Sequence, residues 1–269
     1  MHYLGICAII RDETPYIEEW VAYYAHLGVE AFYLYDNHSK IPLRDTLAKM
    51  QRMMGRSRLI VHEAPGRTIQ LMTYNHCLAK YGKDCKWIAF VDADEFIAPK
   101  LRNDIPSMLE EFEGYGGLAM NWKIYGTNGH LKPPEGLQIE KYTMAVPDGY
   151  QRNEVVKVIM QPDRTDCFYH NPHTCIVKDK EHPIVTENHT PIHLWYSRPP
   201  SWRIGQINHY YFRSKHEFYK KMRGPRADIL ENFREPPEDN IIPEGSVPDY
   251  SAARFAPGVK AILKKAATF

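Results

Sequence analysis

The sequence lacks most of the features that mark a protein class at sight. No apolar run approaches the roughly 18 residues needed to span a membrane. No basic-then-apolar leader opens the chain, since Arg11, Asp12 and Glu13 follow Met1 within a few residues. These absences imply a soluble protein, made and kept in the cytoplasm. Neither G-x-x-x-x-G-K-[ST] nor G-x-G-x-x-G follows the first apolar stretch, which argues against a P-loop and against a dinucleotide fingerprint. The five cysteines (Cys7, Cys77, Cys85, Cys167 and Cys175) form no C-x-x-C pair and are odd in number, so reduced thiols are the simplest account. Charge of one sign is missing too. The 34 Lys and Arg against 33 Asp and Glu leave +1, so no global basic field points to nucleic acid. There is no internal repeat.

What is present is enough for a substantial core. A chain of 269 residues with 43% hydrophobic content suits one large α/β domain, or one domain with an appendage. Aromatics are plentiful, with 18 Tyr and 5 Trp; most belong in a core, but exposed rings at a site stack on sugars or bases.

Along the first ninety residues strand and helix patterns alternate. Apolar runs at 3–10, 31–35, 57–62 and 87–91 read as buried strands, and helical spacing fills 15–27, 43–54 and 68–81. Thr14 and Pro15 suit the start of the first helix, and Gly28 and Gly82 suit helix ends. This order predicts a parallel sheet wrapped by helices. Later the pattern loosens into a helix over 103–112, a strand over 118–125, a Gly/Pro-rich loop over 126–136, a strand over 203–212 and a helix over 214–222. The stretch 235–249, rich in Pro and charge, reads as a long loop. The division expected is 1–113, 114–224 as a second half of the same domain, and a C-terminal loop and helix over 225–269.

Three carboxylates mark the strand at 87–91. Asp92, Asp94 and Glu95 follow it at once, at the edge where open α/β sheets bind ligands. If the chain stays extended, Asp92 and Asp94 flank Ala93 and point to the same side. Two converging carboxylates repel unless a cation lies between them, and hard divalent ions take such oxygen ligands. Asp92-Ala93-Asp94 is therefore read as a site for Mn2+ or Mg2+ that grips a phosphorylated ligand, against the alternative of a solvated turn or helix cap.

The ordered series Arg11-Asp12-Glu13, Tyr35-Asp36-Asn37, Trp87 through Phe96, Asn121-Trp122, Gly129-His130 and Asn208-His209-Tyr210 resembles the GT-A glycosyltransferases, most closely their family-2-like and family-92-like group. The resemblance implies a GT-A type, Rossmann-like, mostly parallel sheet with a mixed acceptor-side subdomain, the half over 1–113 binding the donor and that over 114–224 the acceptor, with the catalytic residues. It implies a UDP-sugar donor and transfer of a hexose, such as galactose, to a hydroxyl of a glycan or lipid-linked glycan, with inversion. His209 then resembles the third metal ligand beside Asp92 and Asp94, unless it is a buried histidine bonded to backbone. Asp36 resembles the carboxylate that meets base or ribose, unless it caps a helix. Arg11 and Glu13 line the same edge or pair with each other, and Arg67 and Gln70, at the start of the third helix, are candidates for the donor phosphates. Glu140 and Glu135 are candidates for the base that takes the acceptor proton, no family-2 Glu-Asp pair being found on a helix. Trp122, His130 and Trp195 are candidates for acceptor contacts. A basic helix around 259–263, with Lys260, Lys264 and Lys265, is compatible with peripheral contact at the inner face of a membrane. Two other readings stay open: a haloacid-dehalogenase-like phosphohydrolase, which also places D-x-D after a strand, and a non-catalytic, metal-dependent glycan-binding protein.

Overall fold

The alternation of apolar runs and helical patterns builds a sheet with helices on both faces in the computed structural model, which describes residues 1–223 and 243–269. The helix end at Gly224, the 224/225 boundary and the first part of the expected loop, 235–242, lie outside the described residues. The first half runs β1 (His2–Ile10), α1 (Ile17–His26), β2 (Ala31–Asp36), α2 (Leu43–Thr46), α3 (Ala48–Met54), β3 (Leu59–Glu63), α4 (Gln70–Tyr81), β4 (Cys85–Phe90), β5 (Glu95–Pro99) and α5 (Ile105–Leu109). The second runs β6 (Gly117–Ile124), α6 (Gln138–Lys141), β7 (Met144–Ala145), β8 (Val156–Met160), β9 (Ile184–Thr186), β10 (Gly205–His209), α7 (Lys215–Arg223), β11 (Val247–Pro248) and α8 (Ala256–Ala266).

Nine strands form one sheet in the order β3-β2-β1-β4-β8-β6-β10-β5, with β9 on β6. β1, β2, β3 and β4 pair in parallel, and β8 and β5 run antiparallel to their neighbours. The fold is thus the α/β, mostly parallel arrangement expected, mixed in its second half. Alternate residues of β1 feed two cores. Leu4, Ile6, Ala8 and Ile10 join Trp20, Tyr24 and Val259 on the α1 and α8 face, while Cys7 and Ile9 join Tyr74 and Cys77 of α4 on the other.

Several local expectations change. Thr14 does not cap α1, because the amides of Tyr16 and Ile17 donate instead to the Glu13 carbonyl at 2.9 and 3.0 Å. The helix expected over 43–54 is two, α2 and α3, joined at Leu47. Gly82 continues in helical geometry into a short 3-10 turn rather than reversing the chain, whereas Gly28 adopts φ 91° where α1 ends. β5 was not expected as a strand, and it forms because β10 supplies an antiparallel partner from far along the chain.

Candidate active site

The strand order reverses about β1, whose neighbours are β2 and β4, so the crevice lies beyond the C-terminal ends of β1 and β4. Segments that leave strands at this edge carry strained backbone. Asp12 after β1, His38 after β2 and Arg213 shortly after β10 have φ of 56°, 58° and 47°, in the left-handed region. The chain is not extended through Asp94. It turns after Asp92, with the Glu95 amide donating to the Asp92 carbonyl at 3.1 Å. The indole N–H of Trp20 holds this turn through the Asp92 and Glu95 carbonyls, at 3.2 and 3.1 Å. The two aspartates are therefore delivered to different partners.

Asp92 belongs to a buried network. Its Oδ1 accepts from Gln70 Nε2 at 2.9 Å and from the Tyr74 hydroxyl at 3.3 Å, and its Oδ2 lies 3.0 Å from Lys157 Nζ. Lys157, in β8, has no exposed side-chain surface and also sits 3.7 Å from Glu95 Oε2, which accepts from the Asp92 amide at 2.8 Å. Burial opposes the charge on Lys157, but Asp92 and then Glu95 outweigh it, so the ammonium is held firmly protonated. Burial pushes the Glu95 carboxyl up to about 8 against the pull of Lys157.

Asp94 faces the other way, with its Oδ2 2.6 Å from Lys221 Nζ and its Oδ1 3.5 Å from His209 Nε2. Burial would raise its carboxyl, yet Lys221 and then His209 overcome it and hold Asp94 well below the usual carboxylate range. His209 ends β10, buried, and burial lowers its pKa, which favours the neutral imidazole. The Trp122 ring packs edge-on against it at 4.2 Å, and among the described residues neither Trp122 Nε1 nor His209 Nδ1 has a hydrogen-bond partner.

Around this centre Arg213 joins Glu13 at 2.6 Å and Gln138 at 2.6 Å, over the Tyr16 ring at 3.9 Å. Tyr16 donates to Glu217 of α7, which also accepts from Ser214 Oγ at 2.5 Å. Glu13 is thus paired, but with Arg213 rather than with its near neighbour Arg11. Both oxygens of Asp36 accept backbone amides, from Ser39 at 2.9 Å and Leu43 at 2.7 Å, so Asp36 shapes the loop into α2, as the capping alternative allowed. Gln70 positions Asp92, Ala93 is buried in the turn, and Arg67 is exposed just before α4. Glu140 pairs with Lys260 of α8 at 2.6 Å, and Glu135 is exposed in its loop. Among the described contacts neither touches Asp92, Asp94 or His209. Trp122 lies in the centre, His130 Nε2 faces the Lys141 carbonyl at 3.2 Å, and Trp195 is 48% exposed beside Tyr196.

Of the three metal ligands expected, the structure brings Asp94 and His209 face to face and gives Asp92 to Lys157. Among the described residues no three His, Cys, Asp or Glu side chains converge as a closed metal site needs. The donor chemistry of the pair nevertheless fits a divalent ion. One ionised carboxylate stands beside one neutral imidazole nitrogen, and such ions take their remaining ligands from phosphate and water.

Sequence reasoning missed Lys157, Lys221, Arg213 and Glu217. Lys157 had a signal, since a lone Lys inside Val155-Val156-Lys157-Val158-Ile159-Met160 is a charge within a buried strand and must find carboxylates. Arg213 and Lys221 have no such mark, because the carboxylates they meet lie 200 and 127 residues away, and the Ser214-x-x-Glu217 spacing marks a helix cap but not the Tyr16 partner 201 residues away.

Residues 2–244 match the model of glycosyltransferase family 92. A family 92 protein of Oryza sativa subsp. japonica is 23% identical over 249 residues, covering 89% of this chain and 38% of that protein. One of Ricinus communis is 28% identical over 243 residues, covering 86% of this chain and 39% of its own length. The chain therefore spans about two fifths of these relatives. Among solved structures, S. aureus TarS 1-349 in complex with UDP-GlcNAc aligns with a TM-score of 0.37 and 16% identity over 60% of this chain and 45% of its own. A putative glucose-1-phosphate thymidylyltransferase from Bacillus anthracis aligns at 0.39 and 11%, over 61% of this chain and 72% of its own.

Proposed function

This chain belongs to glycosyltransferase family 92, and from that premise we propose that it transfers a hexose, galactose for instance, from a UDP-sugar to a hydroxyl of a glycan or lipid-linked glycan, using Mn2+ or Mg2+. The observation that carries the reading is the Asp94–His209 pair, Oδ1 to Nε2 at 3.5 Å, at the crevice beyond β1 and β4. The residues around it divide the work. Lys157, Gln70 and Tyr74 fix Asp92 on the inner side of the turn, where a carboxylate can meet the donor without moving. Asp94 and His209 would hold the ion, which when bound supplies a Lewis acid for the leaving diphosphate. Glu13 and Arg213 wall the same edge, and Trp122 backs His209, closing it off from water on that side. Exposed Trp195 offers a stacking face for an acceptor sugar. The reading includes single displacement with inversion, which the anomeric configuration of the product, read by NMR, checks. Family membership favours this reading over the phosphohydrolase, and no observation favours a non-catalytic glycan binder.

Calorimetry of UDP with Mn2+ and with EDTA, on wild type and on Asp94→Asn, tests it. Metal-dependent binding that the substitution abolishes is expected. No binding by folded wild-type protein under any condition overturns the UDP-sugar donor.

A further inference from the structure

Asp94 is already neutralised by an ammonium. Lys221 Nζ lies 2.6 Å from Oδ2, and the two partners differ in their access to water: the Asp94 side chain is 9% exposed and that of Lys221 45%. The carboxylate is walled in while the lysine stands at the mouth. Lys157, the other lysine of the turn, is wholly buried between Asp92 and Glu95 and has nowhere to go. Among the described residues Lys221 is tethered more lightly, by one carboxylate and by the face of the Tyr211 ring at 4.5 Å. Its helix is anchored one turn earlier, where Glu217 accepts from Tyr16 and from Ser214, so the long side chain can swing while α7 stays in place. A dication at Asp94 and an ammonium on its other oxygen repel each other, so the two cations compete for one carboxylate.

We infer that Lys221 is an exchanging cation of the donor site: it holds Asp94 until a divalent ion takes that carboxylate, and the released ammonium then binds the diphosphate of the donor. The inference rests on the nucleotide-sugar reading above and extends it to a residue that reads the number of phosphates. No covalent step is added. Lys221 exchanges one anionic partner, a carboxylate, for another, a phosphate oxygen, and stays protonated throughout.

The test is calorimetry on wild type, Lys221→Met and Lys221→Arg, each checked for native circular dichroism. The probes are Mn2+ alone, then UDP and UMP at saturating Mn2+. In Lys221→Met, Mn2+ alone is expected to bind roughly tenfold tighter, because its competitor is gone, and UDP roughly tenfold weaker, with UMP unchanged. Lys221→Arg, which keeps the charge, is expected to retain UDP affinity within about threefold, and if Lys221→Met does not fold, Lys221→Gln, which also removes the charge, takes its place with the same Mn2+, UDP and UMP outcomes. Unchanged or weaker Mn2+ binding in Lys221→Met overturns the exchange, and so does a loss of UDP affinity that UMP shares. If wild type binds Mn2+ and UDP and both variants match it, only the role of Lys221 falls. If folded wild type binds neither, the donor reading itself has failed and the exchange goes with it.

Discussion

The ammonium of Lys157 lies 3.0 Å from Oδ2 of Asp92 with no exposed surface, so one half of the Asp92-Ala93-Asp94 turn is pinned from inside the sheet. Removing one partner of such a pair leaves a charge buried and uncompensated. Lys157→Met should destabilise the fold by about 2–3 kcal/mol in urea denaturation, less than for a fully buried pair because the Asp92 side chain is 33% exposed. Adding Asp92→Asn should recover part of the loss, since the orphaned charge goes with it. A single-variant loss below about 1 kcal/mol would show that the pair carries no such charge.

Glu19 makes stability depend on pH. Its carboxylate accepts the amides of Gln138 and Ile139 at 2.7 and 3.0 Å, tying α1 to α6, and has no ion pair among the described residues. Burial pushes its pKa up from 4.5 to about 7, against those amides. The folded state thus binds this proton more tightly than the unfolded chain does. Its contribution is full below about 4.5 and is lost as the pH rises to about 7. Melting followed from pH 5 to 8 should show a decline on the order of 1–3 kcal/mol, with Glu95, raised to about 8, adding a second loss of the same sign. Glu19→Gln should flatten the first part of the curve; an unchanged slope would assign it elsewhere.

His209 is the partner of Asp94 that distinguishes a metal site from a lone carboxylate. Because burial favours its neutral form, Mn2+ affinity should change little between pH 7.5 and 6.5, the range in which an exposed histidine begins to charge. His209→Gln should weaken Mn2+ binding on the order of tenfold or more, measured by calorimetry. Equal affinity in the variant would remove His209 from the ligand set.

Gly126 and Gly245 cross where β11 returns to β7. A Cβ at Gly245 would stand 1.9 Å from the Met144 carbonyl oxygen, and one at Gly126 would stand 2.3 Å from the Gly245 amide nitrogen. Both neighbours are backbone, so the strands must part. Gly245→Ala should cost about 1–3 kcal/mol and lower Tm by several degrees, with cleavage by endoproteinase Glu-C accelerated at Glu244. A melting curve identical to wild type would mean the crossing can relax.

The parallel half of the sheet was legible because each of its strands is an apolar run with helical spacing after it. Burial on both faces demands such runs, and the 3-2-1-4 order then places the ends of β1 and β4 side by side. The position of Asp92 and Asp94 after β4 was legible, but the division by which Asp92 meets Lys157 while Asp94 meets His209 and Lys221 was not. Glu135 and Glu140 are candidates for the base only through their place in the sequence, Glu135 within the Gly/Pro-rich loop over 126–136 and Glu140 just after it, and the structure joins Glu140 to the C-terminal helix through Lys260. Spacing along a chain says nothing about a pairing across 120 residues.

Local chemistry therefore determined which segments are strands and helices, that a carboxylate turn follows β4, and that no P-loop or dinucleotide fingerprint follows the first strand. Only the tertiary structure decided which cation each carboxylate meets. Lys157 reaches Asp92 because β8 runs antiparallel beside β4, and His209 and Lys221 reach Asp94 because β10 and α7 are brought to the same edge from more than a hundred residues away. Ion pairs act over a few ångströms whatever the separation in sequence, so the partition of this turn between a pinned and an exchangeable aspartate exists only once the sheet has closed.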